Sequence, residues 1–224
     1  MEYEKSLAIV LQSIDYQEKS KIIKVFTKEE GVISLIAKKS VLKNCNFFSI
    51  TSPFCKTEII YQKKSNNIYL LKEANIMDEH LFIRDKLSLI TSACSMARAV
   101  LDTQFFRKKA ESIFLLFESY LKNITCFSNP AILSTSFLLK ILLYENLISP
   151  DFTCSVCCNK NAYHLHNGES LCEEHAPKFS FSFSEEEYKN ILVLTFSKKY
   201  SDLQAIDLTH ALQEKINHLF KDML

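Results

Sequence analysis

The chain has 224 residues, 27 Lys and Arg against 26 Asp and Glu for a formal net charge of +1, and 47% hydrophobic residues. That length and balance suit one large folded domain or two small ones and exclude wholesale disorder. Glycine occurs only at Gly31 and Gly168, which excludes the glycine-rich dinucleotide and phosphate loops and the G-x-S-x-G nucleophile elbow.

Residues 1–75 read as β. Leu7–Leu11 is a short apolar run, and two β-branched runs, Ile22–Thr27 and Val32–Ala37, flank Lys28-Glu29-Glu30-Gly31. Gly31 supplies the positive φ that such a hairpin needs. Lys56–Gln62 and Ile68–Glu73 flank a second turn whose asparagines can take the left-handed position. Five strands in so short a stretch predict a small closed barrel, because closure removes exposed edges.

After residue 78 the period becomes helical. Apolar residues recur every third or fourth position over Leu81–Thr103 and Lys109–Ile124. Asn129-Pro130 predicts an N-cap with proline at the first helical position, opening a helix to about Tyr144. Ser184 and Glu187 form a capping-box pattern, and Asp202 is the expected cap of a last helix. The fold class expected is therefore α+β: a five-stranded closed barrel over 1–78, then an α-helical domain over 79–224.

No membrane span is expected. The longest uncharged run, Asn123–Leu139, is 17 residues and carries Asn, Ser, Thr and Pro, short of the roughly 20 apolar residues required. Acids stand where a signal peptide wants bases, at Glu2 and Glu4. A cytoplasmic protein with reduced or metal-bound cysteines is the expectation.

The strongest local signal lies in residues 154–176. Cys154-x2-Cys157, fourteen intervening residues, then Cys172-x2-His175 give two turns that can bring four soft ligands around Zn²⁺. Cys158 offers a competing register, and His164 and His166 are further candidates. A closed four-ligand site is structural, with no open position for substrate. Cys45, Cys55, Cys94 and Cys126 stand in apolar contexts and are expected in the core. No Ser/His/Asp grouping, paired acidic motif or H-E-x-x-H occurs, so the chain is read as a non-enzyme.

Charge is uneven. Lys19 to Lys64 holds ten lysines against three glutamates, whereas Asp151 to the end holds seven bases against eleven acids. A basic first half suits a polyanion.

The run from Ala8 through Asp15-Tyr16-Gln17-Glu18-Lys19-Ser20 to Phe26-Thr27, Gly31 and Ala37-Lys38 resembles the first three barrel strands of the bacterial recombination mediator RecO family. The order of barrel, helices and zinc element before the final helices resembles it too. Lys39 stands where that family commonly has glycine, and His175 where it commonly has cysteine. The resemblance implies that the barrel is an OB-fold and that the chain is a DNA-repair protein that binds single- and double-stranded DNA and anneals complementary strands. It also implies pairing with RecR, contact with single-strand binding protein (SSB), loading of RecA, and work at the bacterial nucleoid. Lys19, Lys21, Lys24, Lys38, Lys39 and Lys43 are then the phosphate candidates. Tyr16, Phe47 and Phe48 are the base-stacking candidates. Arg107, Lys108 and Lys109, beside Phe105-Phe106, are candidates for holding the acidic SSB tail. The competing readings are a protein-interaction scaffold and a nucleic-acid enzyme.

Overall fold

The structure is a computed structural model and describes residues 3–39, 47–63, 67–106 and 108–224. The first elements are β1 (Tyr3–Asp15), β2 (Ser20–Thr27), β3 (Gly31–Lys38), a helical turn α1 (Phe47–Ile50), β4 (Lys56–Gln62) and β5 (Ile68–Asp78). The five strands close into a barrel in the order β1-β2-β3-β5-β4. β1 pairs with β4, and β3 pairs with β5 in parallel through Ser34↔Ile68, Leu35↔Tyr69 and Ile36↔Leu70.

Period-two alternation explains the barrel's interior. Ile23 and Val25 of β2 and Ile33, Leu35 and Ala37 of β3 point inward, where they meet Ile59, Tyr61, Tyr69 and Leu71. The rings of Tyr61 and Tyr69 stack at 5.6 Å. Phe47 and Ile50 of α1 join the same core. Gly31 turns the β2–β3 hairpin at φ 72°, and a Cβ there would stand 2.2 Å from the Lys108 carbonyl oxygen. Gly31 is therefore held by both its torsion and its crowding.

Helices α2 (Leu87–Thr103) and α3 (Glu111–Asn123) follow. α3 covers the outward face of β2: the Phe26 ring meets Phe114 edge-on at 5.5 Å, and Lys28 pairs with Glu111 at 3.2 Å. Barrel, α2 and α3 belong to one compact unit, residues 1–125; residues 126–224 form a second.

The second unit contains α4 (Ala131–Tyr144), a three-stranded sheet of β6 (His164–His166), β7 (Glu169–Leu171) and β8 (Phe181–Ser182), then α5 (Glu185–Phe196), α6 (Tyr200–Gln204) and α7 (His210–Asp222). α4 is buried along nearly its whole length. The Asn129 side chain accepts from the Ala131 amide at 3.1 Å. The Ser184–Glu187 capping box is present at α5. The last helix differs from expectation: Thr209 caps α7, its hydroxyl accepting from the Leu212 amide. Asp202 instead lies inside α6 and accepts from the Ser197 hydroxyl at 2.8 Å, because that helix stops after five residues. Two cysteines differ as well. Cys55 is buried, but Cys94 and Cys126 are exposed, each lying off the apolar stripe of its segment. Cys45 lies outside the described residues.

His80 ends the barrel. It takes a left-handed backbone at φ 45°, its ring is buried, and Nδ1 lies 3.0 Å from the Phe54 carbonyl oxygen. Nε2 stands 3.5 Å from Asp78. Burial holds the imidazole below its ordinary value, against the pull of Asp78 and the Phe54 carbonyl; Lys122 lowers it and Glu118 raises it to a smaller degree. The unfolded chain thus takes up a proton that the folded chain refuses, and stability falls as pH drops below about 6.5. His80→Asn keeps a donor for Phe54 and tolerates the left-handed backbone. In thermal unfolding between pH 7.5 and 5.5, the His80→Asn variant is expected to lose less Tm with acid than wild type; equal slopes would contradict this.

Candidate nucleic-acid groove and metal centre

The alternation that fills the barrel also carries certain lysines to its mouth. Lys21 shares the face of Ile23 and Val25, and Lys39 continues the parity of Ile33, Leu35 and Ala37 one residue beyond β3. The ladder extends past the strand ends, because the Lys39 amide donates to the Lys19 carbonyl at 3.0 Å. Lys19 and Lys39 are therefore cross-strand neighbours. Together with Asp15, Gln17, Glu18, Ser20, Lys21, Phe47 and Phe48 they line a cavity of about 810 Å³ at the β1–β2 loop. The backbone of that loop is fixed by Gln17 at φ 63° and by the Tyr16 amide donating to the Ser20 carbonyl at 2.9 Å.

Within the groove, Lys21 pairs with Asp15 at 3.4 Å; the lysine side chain is 26% exposed and the aspartate 89%. Phe48 is 65% exposed, whereas Phe47 is 8% exposed and belongs to the core. Their rings meet edge-on at 6.0 Å, and the Lys39 ammonium lies 5.6 Å from the centre of the Phe48 ring. That placement favours the cation electrostatically. Three cations, two carboxylates and one open aromatic ring therefore face a shared concavity.

The remaining candidates are elsewhere. Lys24 lies on the opposite face of β2 from Ile23, and Lys38 on the opposite face of β3 from Ala37; both are exposed. Tyr16 is 42% exposed, within the loop but outside the cavity lining. Lys43 and Arg107 lie outside the described residues. Lys109 pairs with Glu111 at 3.4 Å, and Phe105 is 69% exposed. Phe106 packs its ring 5.8 Å from Tyr69. Asp15, Gln17, Glu18 and Ser20 join the groove without having been expected there. Their signal is positional: they occupy the same short loop as Lys19.

In the second unit, Cys154, Cys157, Cys172 and His175 bring one donor atom each within 4.8 Å of one another and could hold a metal ion. Two turns position them. The Cys158 amide donates to the Cys154 carbonyl at 2.9 Å, and the Ala176 amide to the Cys172 carbonyl at 3.0 Å. Cys158 takes the left-handed backbone that leaves the first turn, at φ 58°; His164 and His166 lie in β6, and none of the three joins the group. The sulfurs of Cys157 and Cys172 are 3.7 Å apart. His175 Nδ1 lies 3.2 Å from Cys172 and 3.9 Å from Cys154. A tetrahedral ion bound by thiolate and imidazole has ligand–ligand edges of about 3.6–3.8 Å; the 3.7 and 3.9 Å separations lie close to these and the 3.2 Å one is shorter, so the four donors could close around one after a small adjustment. Burial pushes the Cys154 thiol up, but backbone amides of Cys172, Cys157 and Val156 outweigh it and bring it down to about 6.

The element is anchored on α5. Tyr188 is buried among Phe152, Tyr163 and Phe183, with ring centres at 6.2, 5.9 and 6.1 Å. Its hydroxyl bonds Ser170, and Ser170 accepts from the Asp151 amide at 2.8 Å.

Residues 1–80, which span the barrel, match the family described as Recombination protein O N terminal. Over the barrel the chain is thus similar to RecO. It is 26% identical over 218 residues to DNA repair protein RecO of Chlamydia pneumoniae, covering 96% of this chain and 86% of that protein. It is 26% identical over 209 residues to that of Shouchella clausii, covering 90% and 77%. To that of Caldicellulosiruptor saccharolyticus it is 22% identical over 231 residues, covering 100% and 91%. The expected resemblance to RecO and the expected barrel-then-helices order are thus both found. Among the described residues no helix is long and apolar enough to cross a membrane.

A metal held by this group should matter to folding, since a preformed site is absent from the unfolded chain. Purified protein is expected to carry about one metal ion per chain, and a chelator should lower its Tm by more than about 5 °C. Cys154→Ser should start at the lower Tm and be unmoved by chelator. Wild-type protein free of metal, or indifferent to the chelator, would contradict the site.

Proposed function

We propose that this chain is a RecO-family recombination mediator in DNA repair. It binds single- and double-stranded DNA, anneals complementary strands and, with RecR, helps load RecA onto SSB-coated DNA. The observation that carries the reading is the convergence of Lys19, Lys21, Lys39 and Phe48 on one groove at the barrel mouth, the loop region that oligonucleotide-binding barrels use. Residues 1–78 are the DNA-binding domain in this proposal, and 79–224 the helical domain with its metal element at 154–176.

Binding follows from charge. Each ammonium that meets a phosphate releases a condensed counterion, so affinity falls with salt. Annealing follows when two strands are partly neutralised while their bases stay accessible. No bond-breaking step is assigned: the groove offers cations, a ring and two loop carboxylates. The metal is proposed to be zinc, suited to three thiolates and an imidazole, with a structural role because all four positions are taken by protein. Arg107, Lys108 and Lys109, beside Phe105, are the proposed place for the apolar, acidic SSB tail; the Lys109–Glu111 pair must open to admit a carboxylate. The proposed site of action is the cytoplasm, at the nucleoid.

The test is annealing of complementary oligonucleotides, bare and SSB-coated, at two salt concentrations and without ATP. Wild-type protein should accelerate annealing. Combined Lys19→Ala, Lys21→Ala and Lys39→Ala should slow it and lower the salt slope of single-strand affinity by about 2, at about 0.7 per lost contact. Unchanged rate and slope in the triple variant would overturn the groove as the DNA site.

A further inference from the structure

We infer that the outer wall of the barrel, on the face of β2 and β3 that carries Lys24 and Lys38, is a docking surface for a short acidic amphipathic helix of a partner protein. The inference does not depend on where DNA binds. It concerns the two lysines that the groove leaves out.

The register of four strands builds the surface. Ile14 stands opposite Ile22, Ile22 opposite Ile36, and Ile36 opposite Leu70. Alternation turns these residues outward, because their neighbours Ile23, Leu35 and Leu71 fill the core. They form one aliphatic row across β1, β2, β3 and β5. Ile14 is 51% exposed, and Ile22, Ile36 and Leu70 are half-buried. At the hairpin end of the same wall the fold supplies its own cover: Phe26 is fully buried and meets Phe114 of α3. Four residues away, Ile22 keeps part of its surface in water. The barrel's own core explains the inward series and leaves the outward row unexplained.

Charge flanks the row on both sides. Toward the hairpin, the next outward positions are Gln12, Lys24 and Ser34, which are paired across the strands. Toward the mouth they are Ser20 and Lys38, and the β3–β5 register continued by two residues sets Lys72 beside Lys38. Lys24 and Lys38 are exposed and Lys72 is half-buried. Among the described residues none of the three has a carboxylate partner. An apolar row between two cationic flanks calls for a partner with one apolar stripe between two acidic flanks.

Dimensions select a helix. Neighbouring strands lie about 4.8 Å apart, so the row is about 14 Å long, and four residues of strand set the lysine flanks about 13 Å apart. A helix of about nine or ten residues has that length, and its width of about 10–12 Å carries acids on either side of the stripe toward the lysines. An extended peptide alternates its side chains toward and away from the sheet and offers the flanks only backbone. Nucleic acid fits less well, since the row has no ring on which a base could stack. A second copy of this chain would set lysine against lysine. Four aliphatic side chains make a small contact, of the transient class.

The experiment uses the full chain and a synthetic probe: a capped, stapled helical peptide with leucines along one stripe and glutamates on both sides of it. The control peptide has lysine in place of every glutamate. Fluorescence anisotropy measures affinity, and amide shifts of labelled protein locate the contact. The glutamate peptide is expected to bind at least about tenfold tighter than the lysine peptide and to shift Ile22, Lys24, Ile36, Lys38 and Leu70. Combined Lys24→Glu and Lys72→Glu should weaken it at least about tenfold and favour the lysine peptide instead. The same variant should bind a labelled oligothymidylate within about threefold of wild type, because neither residue lines the groove. Combined Ile22→Thr and Ile36→Thr keeps β-branched strand residues and should also weaken the peptide; the lysine variant, changed only at its two flanking cations, decides the matter if the threonine variant fails to fold. No binding, equal binding of both peptides, or undiminished binding to the Lys24→Glu, Lys72→Glu variant would overturn the inference. Oligothymidylate that shifts the aliphatic row instead of the mouth would assign the wall to nucleic acid and overturn it too.

Discussion

Closure of the barrel is the constraint on which the rest depends. The parallel contact of β3 with β5 and the antiparallel contact of β1 with β4 fix which side of every strand faces inward. Once that parity is set, the odd-numbered positions of β2 and β3 belong to the interior. Inside the barrel those positions are Ile23, Val25, Ile33, Leu35 and Ala37. At its mouth the same series reaches Lys21, Lys19 and Lys39. A lysine in the interior series would be costly if it were sealed from water. At the mouth the ammonium can stay in water, and cations from β2 and from the end of β3 are delivered to one concavity.

The groove and the metal centre represent two ways of making a small structure rigid. The groove has a hydrogen-bonded loop, a left-handed Gln17 and a ring braced by a neighbour. The second unit instead has a short three-stranded sheet of strands two or three residues long, too little to be stable alone. Two chain turns converging on four donor atoms, and the aromatic cluster around Tyr188, supply what the sheet lacks.

Much of this was legible in the sequence because its signals are local. The β-branched runs, the glycine of the first hairpin, the capping box at Ser184 and the spacing of Cys154, Cys157, Cys172 and His175 each depend on neighbours within one turn or one strand pair. What was less legible depends on packing at a distance. Lys24 and Lys38 sit among the groove lysines in sequence but on the other face, a distinction that strict alternation could have drawn. Phe47 and Phe48 are adjacent and chemically identical, and only the way α1 enters the barrel separates core from surface. Asp202 has the chemistry of a cap, but the chain forms a five-residue helix there and leaves the role to Thr209. Cys94 and Cys126 have apolar neighbours, yet helix phase and a segment end turn them outward.

The central claim is that nucleic acid enters at the barrel mouth. The most direct measurement is an NMR titration of isotopically labelled protein with a short single-stranded oligonucleotide, read at backbone amides. The account predicts shifts concentrated at Gln17 to Lys21, Lys39 and Phe48, with the outward positions of β4 and residues 126–224 little changed. Shifts centred on the metal element or the helices, with a silent β1–β2 loop, would contradict it.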